Sequence, residues 1–134
     1  GATAGSAVSS EFAAAPQLPA LFVDRLQIEV ILRNLIANAV EAIAGANVRD
    51  GRLTISVLRQ DDRFLRIVVA DNGPGIAAAS REDLFEPFVS GKSTGMGLGL
   101  AVSRAIAEAH GGFLQAARTT HGEFHLVLPC AQNA

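Results

Sequence analysis

The sequence predicts an α+β fold: a two-layer sandwich with a mixed, mostly antiparallel sheet of about five strands on about three helices. Three observations carry this reading. A long helical run, from Asp24 to Ala44, contains neither glycine nor proline. Two pairs of strand-like segments are each joined by a polar turn. The helical segments are grouped between these hairpins and do not alternate one for one with strands, which argues against a doubly wound parallel sheet. With 134 residues, of which 49% are hydrophobic, the chain fits one domain with a substantial core.

The remaining composition narrows the function classes. A net charge of −2 with both signs interspersed gives no basic footprint for nucleic acid or an anionic membrane. No apolar run is long enough for a membrane span, and the start of the chain lacks a signal-peptide pattern. A soluble chain is expected. The single cysteine, Cys130, has no partner for an internal disulfide or a zinc site, which fits a reducing cytoplasm.

Taken in order, residues 1–16 are small and polar without helical or strand periodicity, and are expected to be a flexible tail, in part a cloning remnant. The domain proper is expected over 17–130, with 131–134 as a second short tail. A short apolar run within Leu18–Val23 is compatible with an edge strand. The Asp24 run follows: Asp24 with Gln27 three residues later is a capping-box start, and Gly45 is the expected stop. At about 100° per residue, Gln27, Asn34, Asn38 and Glu41 share one stripe, and Glu29 and Arg33 form an i,i+4 pair elsewhere. Asparagine is a poor helix former, so two on successive turns suggest a site; the alternative is that they pair with nearby backbone groups and do nothing else.

Arg52–Arg59 alternates Leu53, Ile55 and Val57 against Thr54 and Ser56, as a half-buried strand does. Phe64–Ala70 is its expected hairpin partner. The sequence D-N-G-P-G-I at Asp71–Ile76 predicts a sharp turn that takes Asp71 out of the sheet. Ser80–Phe88 reads as a short helix or turn, and Val89–Gly99 as a glycine- and hydroxyl-rich mobile segment around Lys92. A helix is expected over Leu98–His110, with Leu98, Val102, Ala105, Ile106 and Ala109 inward and Gly111 at its end. Gly112–Arg118 and Glu123–Leu128 complete a second hairpin.

G-M-G-L-G-L at Gly95–Leu100 lacks the spacing of a dinucleotide fingerprint, and no Walker lysine follows. Glycines at a helix start still expose N–H groups at the positive end of the dipole, which suits phosphate; a flexible connector is the competing reading.

The order of these motifs is more specific than any one of them. An asparagine stripe, N-L-I-A-N-A-V-E-A at Asn34–Ala42, precedes D-N-G-P-G-I, L-F-E-P-F at Leu84–Phe88, a lysine, and G-M-G-L-G-L. This arrangement resembles the catalytic and ATP-binding domain of sensor histidine kinases, within the superfamily that includes gyrase, Hsp90 and the mismatch-repair ATPases. The resemblance spans Leu18–Pro129, and the wording P-F-V-S-G-K-S-T-G-M-G-L-G-L followed by E-A-H-G-G is most similar to the nitrogen-regulating and oxygen-sensing branch. It implies the Bergerat fold, ATP as substrate and Mg²⁺ as its ion.

The resemblance also implies roles. Asn38 would give its amide oxygen to Mg²⁺, and Asn34 would lie against the phosphates one turn earlier. Asp71 would accept a hydrogen bond from the adenine amine, with Gly73 and Gly75 letting the ring approach the backbone, and Ile76 and Phe88 are further expected nucleotide contacts. Lys92 would reach the terminal phosphate. Gly97, Leu98, Gly99 and Leu100 would present backbone N–H groups to the phosphates, and Ser93, Thr94 and Gly95 are further expected nucleotide contacts. Asn34 and Lys92 are the residues expected to act in the reaction. Asn34 stands where related ATPases carry a glutamate that activates water, and an amide cannot be a general base, so slow hydrolysis is expected. Glu41 has the wrong offset for that role and is taken as peripheral.

None of His110, His121 and His125 begins an acceptor-type H-E or H-D motif, and all three are taken as structural. The expected partners are a separate dimerisation and histidine-acceptor domain and, indirectly, a response regulator, with no nucleic acid or direct membrane contact and a monomeric state in isolation. Two alternatives stand beside the kinase: a family ATPase or anti-sigma serine kinase, told apart by brisk hydrolysis or acid-stable phosphoserine, and a degenerate docking module, told apart by failure to bind nucleotide.

Overall fold

The computed structural model describes residues 8–74, 83–85, 99–117 and 119–131. Five strands form one sheet in the order β1-β2-β3-β5-β4: β1 Ser9–Ala14, β2 Arg52–Arg59, β3 Phe64–Pro74, β4 Phe113–Ala116 and β5 His121–Pro129. β1 runs parallel to β2 and every other pair is antiparallel. Among the described residues, two α-helices, α1 Arg25–Gly45 and α2 Gly99–Ala109, and a 3-10 turn at Asp83–Phe85 accompany the sheet. The α+β prediction holds. Among the described residues, no helix is long and apolar enough to cross a membrane.

Strand alternation decides what faces the helices. Val57, Ile67, Leu126 and Leu114 lie in register across four strands, as do Ile55, Val69, Phe124 and Ala116 in the next inward row. α1 presents Ile28, Ile31, Leu35, Ala39 and Ile43 on its buried side, and Leu35 and Leu126 are fully buried. This is the helical period meeting the strand period.

The helix ends follow local chemistry. Asp24 Oδ1 accepts from the amides of Leu26 and Gln27 at 3.0 and 3.2 Å, satisfying two donors of the first turn of α1. Its own amide donates to His110 Nε2 at 3.1 Å, while His110 Nδ1 lies 2.8 Å from the Ile106 carbonyl. Since an amide only donates and a carbonyl only accepts, these partners select the neutral Nδ1–H tautomer. His110 is therefore structural, as expected, but it couples two helices and does not serve α2 alone. Gly111, at φ 82°, ends α2, and the Gly112 amide returns to the Ala107 carbonyl at 2.9 Å.

Several expectations are corrected. Ser9–Ala14 is a strand and not part of a loose tail: its six side chains are exposed, so no apolar alternation marks it, and main-chain bonds such as Ser9 N to Gly51 O at 2.9 Å hold it. Leu18–Val23 supplies only an isolated bridge, Leu21 with Cys130 just past the end of β5, beyond the residues that β4 pairs. β3 does not leave the sheet at Asp71; it continues to Pro74, with an irregular register between Asp71 and Pro74 that absorbs the glycine and proline. Glu29 pairs back to Arg25, at 3.4 Å. On α2 the buried residues are Ser103 and Ala107, whereas Val102, Ala105 and Ala109 are exposed. The helix is turned so that the Ser103 hydroxyl meets Asn34 of α1. The expected helix or turn at Ser80–Phe88 is represented by the 3-10 turn, and the expected mobile segment Val89–Gly99 lies outside the described residues up to Gly99.

Candidate functional site

Asp71 belongs to the inward row of β3, two residues beyond Val69, in register with Leu53 on β2 and Gly122 on β5. Strand alternation thus turns a carboxyl toward the helix layer at the end of the core, where it is 8% exposed. Burial pushes its pKa up from the ordinary value. The Gly73 amide, the nearby His121 and the Gly122 amide oppose that shift. The Gly73 N–H donates to Asp71 Oδ1 at 2.8 Å.

Two glycines make this placement possible. A Cβ on Gly122 would lie 2.3 Å from Asp71 Oδ2. A Cβ on Gly73 would lie 3.0 Å from Asp71 Oδ1 and 3.3 Å from the Ala42 carbonyl carbon on α1. Gly73 was recognisable from its motif. Gly122 was not, because its role appears only when β5 is set beside β3.

At the other end of the stripe, Asn34 Nδ2 donates to the Gly99 carbonyl at 3.1 Å and to Ser103 Oγ at 2.9 Å. The alternative in which an asparagine pairs with neighbouring groups is thus realised for Asn34, but its partners are on α2, at the start of the glycine-opened helix. Asn38 lies between, half-buried one turn along α1, and Glu41 is half-buried nearer the end. Leu100, in the first turn of α2, packs against the core.

α1 therefore sets the spacing of the site. Asn34 meets the start of α2 and Ala42 meets Gly73, eight residues further along; at 1.5 Å per residue that is about 12 Å. A ligand with a base at Asp71 and an anionic tail at the start of α2 would lie along this helix past Asn38.

Of the residues named from the sequence, Asn34, Asn38, Asp71, Gly73, Gly99 and Leu100 are described; Gly75, Ile76, Phe88, Lys92, Ser93, Thr94, Gly95, Gly97 and Leu98 lie outside the described residues. Phe85 packs edge-on to Phe124 with ring centroids 6.3 Å apart, and the Arg104 guanidinium sits 5.2 Å from the Phe85 ring centre. Asn72, read only as part of a turn motif, accepts from the Arg52 amide and donates to the Asp50 carbonyl, each at 2.7 Å, and so ties the end of β3 to the start of β2.

His121 and His125 also have partners. Glu123 Oε1 lies 2.8 Å from His121 Nε2 and Oε2 lies 2.6 Å from His125 Nε2, on alternate positions of β5. Arg66 of β3 hydrogen-bonds His125 Nδ1 and also Gln60.

Residues 23–132 match the family described as histidine kinase-, DNA gyrase B- and HSP90-like ATPases. The chain belongs to this family. Its relatives include the sensor protein FixL of Bradyrhizobium diazoefficiens, 36% identical over 126 residues that cover 92% of this chain and 25% of that protein. The sensory histidine kinase/phosphatase NtrB of Escherichia coli O157:H7 is 36% identical over 121 residues, 85% of this chain and 35% of that protein. Among solved structures, full-length ShkA in complex with AMPPNP superposes with a TM-score of 0.82 at 30% identity, covering 96% of this chain and 27% of that one. Within the family, the chain is thus of the sensor-histidine-kinase kind, and FixL and NtrB agree with the branch its motifs resemble. It spans about a quarter to a third of these relatives.

Proposed function

We propose that this domain binds ATP with Mg²⁺ along α1 and donates the γ-phosphoryl group to a histidine on a separate dimerisation and acceptor domain of its kinase. The single observation that carries the reading is the placement of Asp71 with Gly73, and of Asn34 with Gly99, at the two ends of one helix stripe. In this reading Asp71 accepts from the adenine amine. The glycine-opened start of α2 meets the phosphates with the backbone N–H groups of its first turn. Lys92, with Ser93, Thr94, Gly95, Gly97 and Leu98, serves the phosphate end, and Gly75, Ile76 and Phe88 serve the base.

The donor set suits the ion. Asn38 offers a neutral amide, and Asn34, with both amide hydrogens directed to α2, offers only its oxygen among the described residues. Neutral oxygens fit a hard cation that takes most of its ligands from phosphate and water, and they add no negative charge beside a triphosphate. When bound, the ion neutralises phosphate charge during transfer. Asn38 is the residue proposed to hold it.

Asn34 also supports transfer over hydrolysis. An amide oxygen cannot take a proton from water as a carboxylate can, whereas transfer to an imidazole needs no such base here. In the full kinase the reading adds a response regulator as the eventual recipient and a cytoplasmic position for this domain.

The test is to mix the chain with Mg-ATP and the dimeric acceptor domain of its own kinase. The expected product is acid-labile, base-stable phosphohistidine on the acceptor, with little phosphate released by the chain alone. Brisk hydrolysis without acceptor, or acid-stable phosphoserine on a partner, would overturn the reading.

A further inference from the structure

Ser103 is fully buried on α2, in a helix contact whose other buried α2 residue is Ala107. A buried hydroxyl costs free energy unless it is hydrogen-bonded, and alanine would serve the packing equally well. Its partner is Asn34 Nδ2, at 2.9 Å. The same nitrogen donates to the Gly99 carbonyl, one helical turn before Ser103, at 3.1 Å. A primary amide has two hydrogens, and both are thereby used.

We propose that Ser103 is a positioning residue that commits the Asn34 nitrogen to α2, so that Asn34, whose Oδ1 lies beside Gly99, meets the metal-bound nucleotide as an acceptor only. This rests on the nucleotide reading above. The geometry permits no exchange of the amide ends. Rotating the side chain by half a turn would set Oδ1 against the Gly99 carbonyl, acceptor against acceptor. The Gly99 carbonyl alone leaves one amide hydrogen without a partner and the side chain less restrained; Ser103 supplies the second contact. Asn34 so held can take a place in the ion's shell or accept from a water bound to it, and it has no N–H left to donate to phosphate oxygens. Ser103 touches neither reacting group and acts through Asn34.

The experiment is calorimetric titration of the 134-residue chain with ATP, with and without Mg²⁺, for wild type, Ser103→Ala, Asn34→Ala and the double variant. Losing one side-chain hydrogen bond should weaken Mg-ATP binding about tenfold in Ser103→Ala and move metal-free ATP affinity less than about twofold. In the Asn34→Ala background, Ser103→Ala should have no further effect. Equal losses with and without metal, or the same loss in both backgrounds, would mean a general packing role and overturn the proposal, as would wild-type binding by Ser103→Ala. A second readout needs no ligand: the side-chain NH₂ signals of Asn34 in a ¹⁵N spectrum should be protected from solvent exchange in wild type and lose that protection in Ser103→Ala. Rapid exchange in wild type would also overturn it. A wild type that binds no ATP but shows protected Asn34 hydrogens would reject the nucleotide reading, and the proposed purpose of Ser103 with it, while leaving the contact itself intact.

Discussion

Asp71→Asn separates the binding role of the carboxyl from its cost to the fold. The group is 8% exposed, and burial raises its pKa against the opposing influence of the Gly73 amide, His121 and the Gly122 amide. Asparagine has nearly the same shape and keeps an oxygen for the Gly73 N–H, so the local backbone should hold. What disappears is the charge. A hydrogen bond to an ionised acceptor contributes about 1.5–3 kcal/mol, so ATP affinity should fall roughly 10- to 150-fold and the preference for ATP over GTP should shrink. Stability should respond in the opposite sense. Because the folded pKa lies above the ordinary 3.8, the native state holds the proton more tightly than the unfolded chain. The contribution of Asp71 is then fully present below the unfolded value and lost as pH rises through the folded one. The asparagine variant lacks that loss and should be at least as stable as wild type at neutral pH. Titration calorimetry with ATP and GTP and urea unfolding across acidic to neutral pH measure the two effects. Binding of ATP within twofold of wild type, with the base preference unchanged, would refute the placement of adenine at Asp71.

Two further substitutions probe other parts of the domain. Asn38→Ala should weaken Mg-nucleotide binding about tenfold or more while changing metal-free binding little, as read by the thermal shift each ligand produces. Glu123→Gln should cost about 1–2 kcal/mol at neutral pH in urea unfolding, because two histidine hydrogen bonds to a charged acceptor are weakened. Burial raises the Glu123 pKa, but the bonds to His125 and His121 outweigh it and leave the group below the ordinary 4.5. That stabilisation is present above the unfolded pKa and lost as pH falls through the folded one, so wild type and variant should converge in strong acid. An unchanged difference there would refute the assignment.

Much of the candidate site was legible because its residues announce themselves chemically. Asn34 and Asn38 break the apolar pattern of α1, and Asp71 ends an apolar run just before a glycine pair. The inward strand rows were legible for the same reason: Leu53, Ile55 and Val57 alternate strictly. β1 carries no such mark, since an edge strand with six exposed side chains is held by its main chain. Gly122 and Ser103 were hidden for a different reason. Each matters through a partner far away in sequence, Asp71 and Asn34 respectively, and neither pairing follows from local periodicity. The rotation of α2 was misjudged because hydropathy favours Val102 over Ser103 as the inward residue, whereas the hydroxyl is drawn in by the asparagine it satisfies.

The two helices are fastened to each other at two points. The Asp24 amide bonds His110 at the end of α2, and Asn34 bonds Gly99 at its beginning. The helices thus run antiparallel. Ten residues separate 24 from 34 and eleven separate 99 from 110, so at 1.5 Å per residue the fastenings stand about 15 Å apart on α1 and about 16 Å apart on α2. Sliding α2 along α1 would break both fastenings, and tilting it would break at least one. The start of α2 is therefore fixed relative to Asn38 and Asp71 by contacts on the protein's own side chains. Binding then need not order that helix, and a larger share of the interaction with a nucleotide is left to appear as affinity.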